Sequence, residues 1–272
     1  FRFKLKGFTR NNFFFKSFGR SLEMKKQLFS DSNKIDIIHN HSFWMAPNIY
    51  AGLMAKKYNI PLINSPRGTF SKQAFSRSFR KKKIISCLGQ NTSFQITSCY
   101  HATALNECND IHRFMPDKPI AKIPNGVHIP DLVHKSSLST KRKKLLYLGR
   151  IHEIKGLENL INAWGQVENS FPDWDLEIFG KGKTKYINFL SDLIQKKLLK
   201  RVKIGQPLYG IEKLKKYQES DLHILPSFSE NFGMTVAESL ANNTPVITTN
   251  NTPWKNLNFN ESGWCVDIGV QP

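Results

Sequence analysis

The sequence predicts an α/β protein of two domains, each built on a doubly wound parallel sheet. Three observations predict it. Short apolar runs of strand length alternate with stretches whose apolar residues recur at helical spacing. Several of the runs end in polar residues or glycine, where open α/β sheets place their sites. One segment, 130–144 (PDLVHKSSLSTKRKK), abandons the pattern for Ser, Thr and basic residues, as a domain boundary does.

Residues 1–34 are basic and Phe-rich, and the spacing of Phe18, Leu22 and Leu28 predicts a helix ending near Lys34. Ile35–His41 reads as a buried strand with a polar end, Met45–Tyr58 as a helix, and Pro61–Ile63 as a short strand running into Ser65-Pro66-Arg67-Gly68. Arg77–Leu88 (RSFRKKKIISCL) reads as one basic amphipathic helix. It either seats on anionic lipid or packs its apolar stripe on its own sheet. Tyr100–Leu105 is a further strand, followed by a helix from Asn106 with that Asn as its cap. Ile120–Pro124 is a strand closed by the turn dipeptide Asn125-Gly126. The domains are therefore 1–132 and 144–272, joined by a linker over 133–143.

Beyond the linker the alternation restarts. Strands are expected at Leu145–Gly149, Trp174–Gly180, Val202–Gly205, Asp221–Pro226 and Val246–Thr249. Helices between them are marked by Leu157, Leu160, Ile161 and Trp164, by Tyr186, Leu190 and Ile194, by Ile211, Leu214 and Tyr217, and by the run after Gly233.

Composition narrows the function classes. A length of 272 residues with 40% hydrophobic content is enough for substantial cores. No apolar run reaches the roughly 18 residues that span a bilayer, and the start does not read as a signal peptide. Four scattered cysteines (Cys87, Cys99, Cys108, Cys265) with no CxxC pair argue for reduced thiols in a cytoplasmic setting and against structural zinc. Forty Lys+Arg against 21 Asp+Glu gives a formal +19, which favours a polyanionic neighbour or is simply a lysine-rich solvated surface. No zinc-finger spacing, RNP-like aromatic pattern or basic arm accompanies the charge, so nucleic acid is not expected as a partner.

The chemistry concentrates in Leu225–Thr249, LPSFSENFGMTVAESLANNTPVITT. A short strand leads into a Ser-rich loop with Glu230. Gly233 stands at the mouth of a helix, and Glu238 follows Glu230 with seven residues between them. Amide groups and the dipole at a helix start bind anions, and a glycine there admits the ligand close to the backbone. Carboxylates beside an anion site would repel phosphate and suit hydroxyls. A diphosphate between two polyol groups fits both requirements. A second anion site is written in Gly149-Arg150 at a strand end and Lys155-Gly156 opening the next helix, whose two cations can reach one phosphate group.

The stretch resembles the Glu-x7-Glu segment of retaining glycosyltransferases of the GT-B fold, family 4 (group 1). The likeness includes Pro226-Ser227, Phe232-Gly233, Ala237-Glu238 and Thr244-Pro245-Val246-Ile247, and LGRIHEIKGLENLINAW is similar to the family's diphosphate segment. It implies two Rossmann-like domains facing a cleft, with a nucleotide-diphosphate sugar as donor and no metal or other cofactor. Arg150 and Lys155 would neutralise the diphosphate, and Glu230 would contact the donor sugar hydroxyls. Glu238 would hold the ribose; Gly149, backbone at Phe232, Gly233 and Met234, and the Thr235 hydroxyl would bind sugar and phosphate. Gly180-Lys181-Gly182 falls where the nucleobase lies, or is only a tight turn.

On the acceptor side DIIHNHSFW and SPRGTF resemble segments that face the cleft, making His39, His41 and Arg67 the candidates. Many members carry His where this chain has Arg67, and an Arg there suits a phosphate or carboxylate. The implied function is transfer of a hexose to a glycan or lipid-linked acceptor with retention of configuration, as in polysaccharide or lipopolysaccharide assembly. The implied location is the cytoplasm, with a peripheral seat on the inner face of an anionic membrane as a further expectation. The resemblance also implies a first strand and glycine-rich loop before Phe1 and a terminal helix after Pro272. With those pieces outside the chain, the N-terminal domain is incomplete, and the rival reading is an inactive sugar-nucleotide- or glycan-binding remnant.

Overall fold

The structure, a computed structural model, describes residues 18–76, 79–130 and 142–270. The chain divides into two compact units, Phe1–Pro124 and Asn125–Pro272. The linker expected over 133–143 lies almost wholly outside the described residues, as do Arg77 and the aromatic residues ahead of Phe18.

In the first unit, α1 (Leu22–Ser30) is capped by Ser21, whose Oγ accepts from the Met24 amide at 3.2 Å. It ends before the expected Lys34, and Ser32–Lys34 form a 3-10 turn. Then come β1 (Ile38–His41), α2 (Ala46–Tyr58), β2 (Leu62–Ser65), α3 (Lys72–Ser76), α4 (Phe79–Ile85), α5 (Asn91–Ile96), β3 (Cys99–Ala102), α6 (Leu105–Phe114) and β4 (Ile120–Lys122). The four strands pair in parallel in the order β1-β2-β3-β4. Ile38, Met54, Ala55 and Leu62 form one buried cluster, and Phe43, Phe70, Phe94, Tyr100 and Ile111 another.

Three expectations are corrected here. The basic segment is not one helix to Leu88: after α4 the backbone widens into a π turn over Ser86–Gln90, in which Gly89 adopts φ 124°. The helix after β3 starts at Leu105, so Asn106 lies inside it and does not cap it. Glu107 does the anchoring instead, its carboxylate accepting from the Thr103 amide and hydroxyl and from the Gly68 amide, each at 2.8 Å. Asn125-Gly126 lies in a run without regular structure.

The second unit holds β5 (Lys143–Leu148), α7 (Leu157–Val167), β6 (Trp174–Phe179), α8 (Thr184–Lys196), β7 (Val202–Gly205), α9 (Gly210–Gln218), β8 (Leu222–Leu225), α10 (Met234–Ala241), β9 (Val246–Thr249) and β10 (Gly263–Val266). All six strands are parallel, in the order β10-β9-β8-β5-β6-β7. The chain runs outward from β5 to β7, then returns to β8 on the other side of β5. That reversal opens the crevice between the C-terminal ends of β5 and β8 in which doubly wound sheets bind ligands. Tyr147, Leu176, Ile178 and Val246 of the sheet bury against Leu157, Ile161 and Trp164 of α7 and the helices beside it. No described helix is long and apolar enough to cross a membrane.

Two backbone approaches set the crevice. Gly156 holds φ 69°, and a Cβ there would stand 2.1 Å from the Pro226 carbonyl oxygen, so the helix after β5 can touch the loop after β8 only through a glycine. Likewise a Cβ on Gly180 would lie 1.7 Å from the Gly149 carbonyl oxygen. The Gly180-Lys181-Gly182 pattern thus has a structural duty, seating the end of β6 against the turn after β5, and Gly182 forms a parallel bridge with Ile151.

His223, on β8, is fully buried with its ring 5.5 Å from that of Tyr217 in a T-shaped pair. Burial pushes its pKa down to about 3, against a smaller upward pull from the Leu146 backbone.

Two predictions follow from this packing. Because the folded state keeps His223 neutral while the unfolded chain protonates it near pH 6.5, stability is intact above pH 6.5 and falls progressively below it. His223→Leu should flatten that acid slope, by up to about 1 kcal/mol per pH unit, in urea unfolding at pH 7.5, 6 and 5; parallel slopes would remove His223 as the cause. Gly156→Ala should cost about 3 kcal/mol in the same assay through left-handed strain and overlap with Pro226. A loss under about 1 kcal/mol would mean the contact relaxes freely.

Candidate functional site

The crevice residues of the second unit are positioned by the strands that deliver them. Past Leu148 the chain turns at Gly149, whose amide donates to the Phe179 carbonyl at 3.0 Å. The buried Tyr147 hydroxyl donates to the Arg150 carbonyl at 2.8 Å and holds that turn. Burial, and next the charge of Glu230, raise the Tyr147 pKa far above its ordinary value, so the phenol stays protonated as a donor. A short 3-10 turn, Glu153–Lys155, then carries Lys155 to the start of α7.

From the other side, the loop after β8 is pinned at both ends. The Phe228 amide donates to the Ile154 carbonyl at 2.9 Å, and the Thr249 hydroxyl donates to the Ser227 carbonyl at 2.6 Å. The Trp254 indole N–H donates to the Phe232 carbonyl at 2.5 Å. Gly233, with φ 80°, caps α10, and Gly233, Met234 and Thr235 at that helix start line the crevice. Between these anchors Lys155 Nζ and Glu230 Oε1 form an ion pair, and the Ser227 hydroxyl donates to the same carboxylate oxygen at 2.7 Å. Both side chains are largely withdrawn from water, at 15% and 12% exposure, where a charge needs a partner.

The result is a hollow of about 310 Å³ lined by Asn125, Tyr147, Gly149, Arg150, Lys155, Leu225, Glu230, Asn231, Phe232, Gly233, Met234 and Thr235. Eight residues singled out from the sequence thus meet in one place: Gly149, Arg150, Lys155, Glu230, Phe232, Gly233, Met234 and Thr235. Glu238 stands apart from that lining. Its carboxylate pairs with Lys213 Nζ of α9 at 2.7 Å and accepts from the Tyr217 hydroxyl at 3.2 Å. Lys213, Tyr217, Ser227, Asn231 and Asn125 were given no role by sequence reasoning. Ser227 had appeared in the Pro-Ser pair ahead of Glu230, Asn125 in a turn dipeptide and Tyr217 as a helix marker.

The candidates His39, His41 and Arg67 lie in the first unit, at the C-terminal ends of β1 and β2. Arg67 Nε donates to His41 Nδ1 at 3.1 Å, and the rings of His39 and His41 are 4.2 Å apart. Sequence reasoning missed His101, on β3, whose Nδ1 is 3.3 Å from His39 Nε2. It sits on the strand that pairs with β2, a neighbour that the sheet order supplies and the sequence does not.

Chemically, the hollow in the second unit combines two cations, a helix start and a carboxylate held at its edge. That set can take an anion and a neighbouring polyol together. Among the described residues, no grouping of three or more His, Cys, Asp or Glu has the geometry of a metal site.

Comparison with known proteins bears on the fold and the family. A D-inositol 3-phosphate glycosyltransferase of Corynebacterium diphtheriae is 22% identical over 234 residues, covering 79% of this chain and 54% of that protein. A glycogen synthase of Mycobacterium tuberculosis is 27% identical over 241 residues, covering 84% and 55%. The chain thus spans about half the length of the curated relatives it matches. The crystal structure of Anabaena HepE in complex with UDP and glucose superposes with a TM-score of 0.72 at 17% identity, over 91% of this chain and 69% of that one, and establishes the fold as GT-B. The model of glycosyl transferases group 1 matches residues 129–271, just over half of the chain and the whole of the hollow's lining apart from Asn125. This chain belongs to the glycosyl transferases group 1 family.

Proposed function

We propose that this chain moves a hexose from a nucleotide-diphosphate sugar to a glycan or lipid-linked acceptor, with retention of configuration and without a metal. The observation that carries the reading is the ion pair of Lys155 and Glu230 inside a hollow shared with Arg150 and the start of α10. Breaking the bond from the anomeric carbon to phosphate leaves an oxocarbenium-like sugar, and the bonding electrons pass to the diphosphate. Arg150, Lys155 and the first amides of α10 would meet that charge, each aimed contact supplying a few kcal/mol of differential stabilisation at most. Glu230 would grip the sugar hydroxyls, and Glu238, held by Lys213 and Tyr217, would take the ribose. The acceptor hydroxyl would attack on the face the diphosphate leaves, its proton passing to the departing phosphate oxygen.

His39, His41 and Arg67 would face the acceptor on this reading. A cytoplasmic place with a peripheral seat on an anionic membrane is supported by α4 and the π turn, where Ile84 (56% exposed) and Leu88 (61% exposed) stand beside Arg80, Lys81 and Lys83.

Two measurements test the reading. In a thermal-shift screen of UDP-, GDP- and ADP-glucose, one donor should raise Tm selectively, as expected for about 2.7 kcal/mol at a hundred times Kd; no response to any diphospho-sugar would sink the proposal. With that donor, Glu230→Gln or Arg150→Ala should lower turnover by about 10²–10³-fold. A chain that binds donor yet neither hydrolyses nor transfers it would be the inactive binding remnant instead.

A further inference from the structure

A chain of buried hydroxyl groups runs from the end of β9 and the turn beyond it to the edge of the hollow in the second unit. Thr248, Thr252 and Ser227 are fully buried and Thr249 is nearly so. A buried hydroxyl is costly unless bonded, and each of these four has an acceptor. The Thr252 hydroxyl donates to the Thr249 carbonyl at 3.0 Å, and the Thr248 hydroxyl to the Leu225 carbonyl at 2.9 Å. The Thr249 hydroxyl donates to the Ser227 carbonyl at 2.6 Å. Ser227 ends the chain by donating to Glu230 Oε1 at 2.7 Å, the short distance of a bond to an ionised oxygen. The next amide, Phe228, donates to the Ile154 carbonyl, so the Ser227 backbone is tied to the turn after β5 as well as to β9.

Glu230 Oε1 therefore has two donors of different kinds. Lys155 brings an ammonium with three N–H groups on a flexible stem, whereas Ser227 brings one neutral donor on a fixed backbone. Both take Oε1, and among the described residues nothing donates to Oε2. On the glycosyl-transfer reading the same ammonium must also serve the diphosphate, whose charge grows as the anomeric bond breaks. A dianionic group beside Arg150 draws Lys155 donors from the carboxylate. The Glu230 side chain is only 12% exposed, so water replaces them poorly, and a withdrawn charge that loses a donor is costly. Ser227 is the donor that stays.

We propose that Ser227 is a positioning residue for Glu230: its hydroxyl holds Oε1 while Lys155 turns to the diphosphate, and so keeps Oε2 aimed at the hydroxyls of the donor sugar. The inference rests on the glycosyl-transfer reading above and deepens it, dividing the hold on Glu230 between a donor that leaves and one that remains. Thr249, through the Ser227 carbonyl, sets where that hydroxyl stands. While Lys155 shares the carboxylate, it compensates for loss of the hydroxyl. Once the ammonium serves the diphosphate that compensation ends, so the hydroxyl matters more in the donor complex, and most as charge develops in the transition state.

The test compares Ser227→Thr with Ser227→Val, two side chains of one shape of which only the first carries a hydroxyl, so crowding at this buried position falls on both. The probe is whichever of UDP-, GDP- and ADP-glucose raises Tm most. The readouts are its hydrolysis to glucose and nucleoside diphosphate, with water standing in for the acceptor, and its Kd by calorimetry. Ser227→Val, and Ser227→Ala which adds no volume, should turn over about 10- to 100-fold more slowly than Ser227→Thr, the loss of one hydrogen bond to a charged group. They should bind donor more weakly by a smaller factor, because the transition state uses the carboxylate more than the ground state does. In a Glu230→Ala background the three variants should agree within about twofold, since the group through which Ser227 acts is gone. In a chain or background that binds donor without measurable turnover, Kd carries the same comparison. Thr and Val variants that fall alike, or a difference between them that persists without Glu230, would overturn the proposal. Either result alongside a donor response refutes only this role for Ser227, whereas no response to any of the three donors refutes the transferase reading and this role with it.

Discussion

The pairing of Lys155 with Glu230 is the constraint around which the second unit's site is arranged. The two residues come from opposite sides of the chain reversal, one after β5 and the other after β8, and meet with little water around them. Such a pair contributes little net stability, because desolvating both charges offsets most of their attraction. Removing one partner is a different matter, costing about 3–5 kcal/mol, since a lone charge is left withdrawn from water. A fold that needed only to be stable could fill the place with apolar side chains. The cost makes sense where both charges have work to do on a ligand.

Much of the surrounding structure follows from keeping that pair in register. Gly156 lets the start of α7 touch Pro226, and Gly180 lets the end of β6 lie against Gly149. Thr249 and Trp254 hold the loop after β8 from β9 and beyond, and Ser227 shares the Glu230 carboxylate. The first unit solves the same problem with neutral groups. Its strand ends are fixed by the amide chain of Asn40, Asn48 and Asn64, which leaves the charged and titratable side chains at the sheet's edge.

The alternation of strands and helices was legible because nine of the ten strands among the described residues lie in short runs separated by helical spacing. β10 was not: its four residues, Gly263–Val266, sit between polar stretches, start on a glycine with φ 152° and expose Trp264 at the sheet's edge. The starts of α7 and α10 were legible from Gly156 and Gly233, which cap them without a side chain. At α6 the anchoring group is Glu107, inside the helix, bonding backward to Thr103 and across to Gly68, which no local pattern announces. The basic segment read as one helix because periodicity is blind to the π turn that Gly89 permits.

The hollow was legible for a related reason. Apart from Asn125 and Tyr147, its residues lie in two compact stretches, 149–155 and 225–235, so the chemistry is written almost contiguously. The partners of Glu238 are Lys213 and Tyr217, on a different helix, and only folding brings them to it. His101 was likewise missed because its neighbours are made by strand order and not by sequence.

A crystal structure of this chain with its stabilising nucleotide sugar bound tests the account most directly. The account predicts the diphosphate in contact with Arg150, Lys155 and the first amides of α10, and the sugar hydroxyls on Glu230. Density for the nucleotide sugar elsewhere, with the pair of Lys155 and Glu230 untouched, would contradict it.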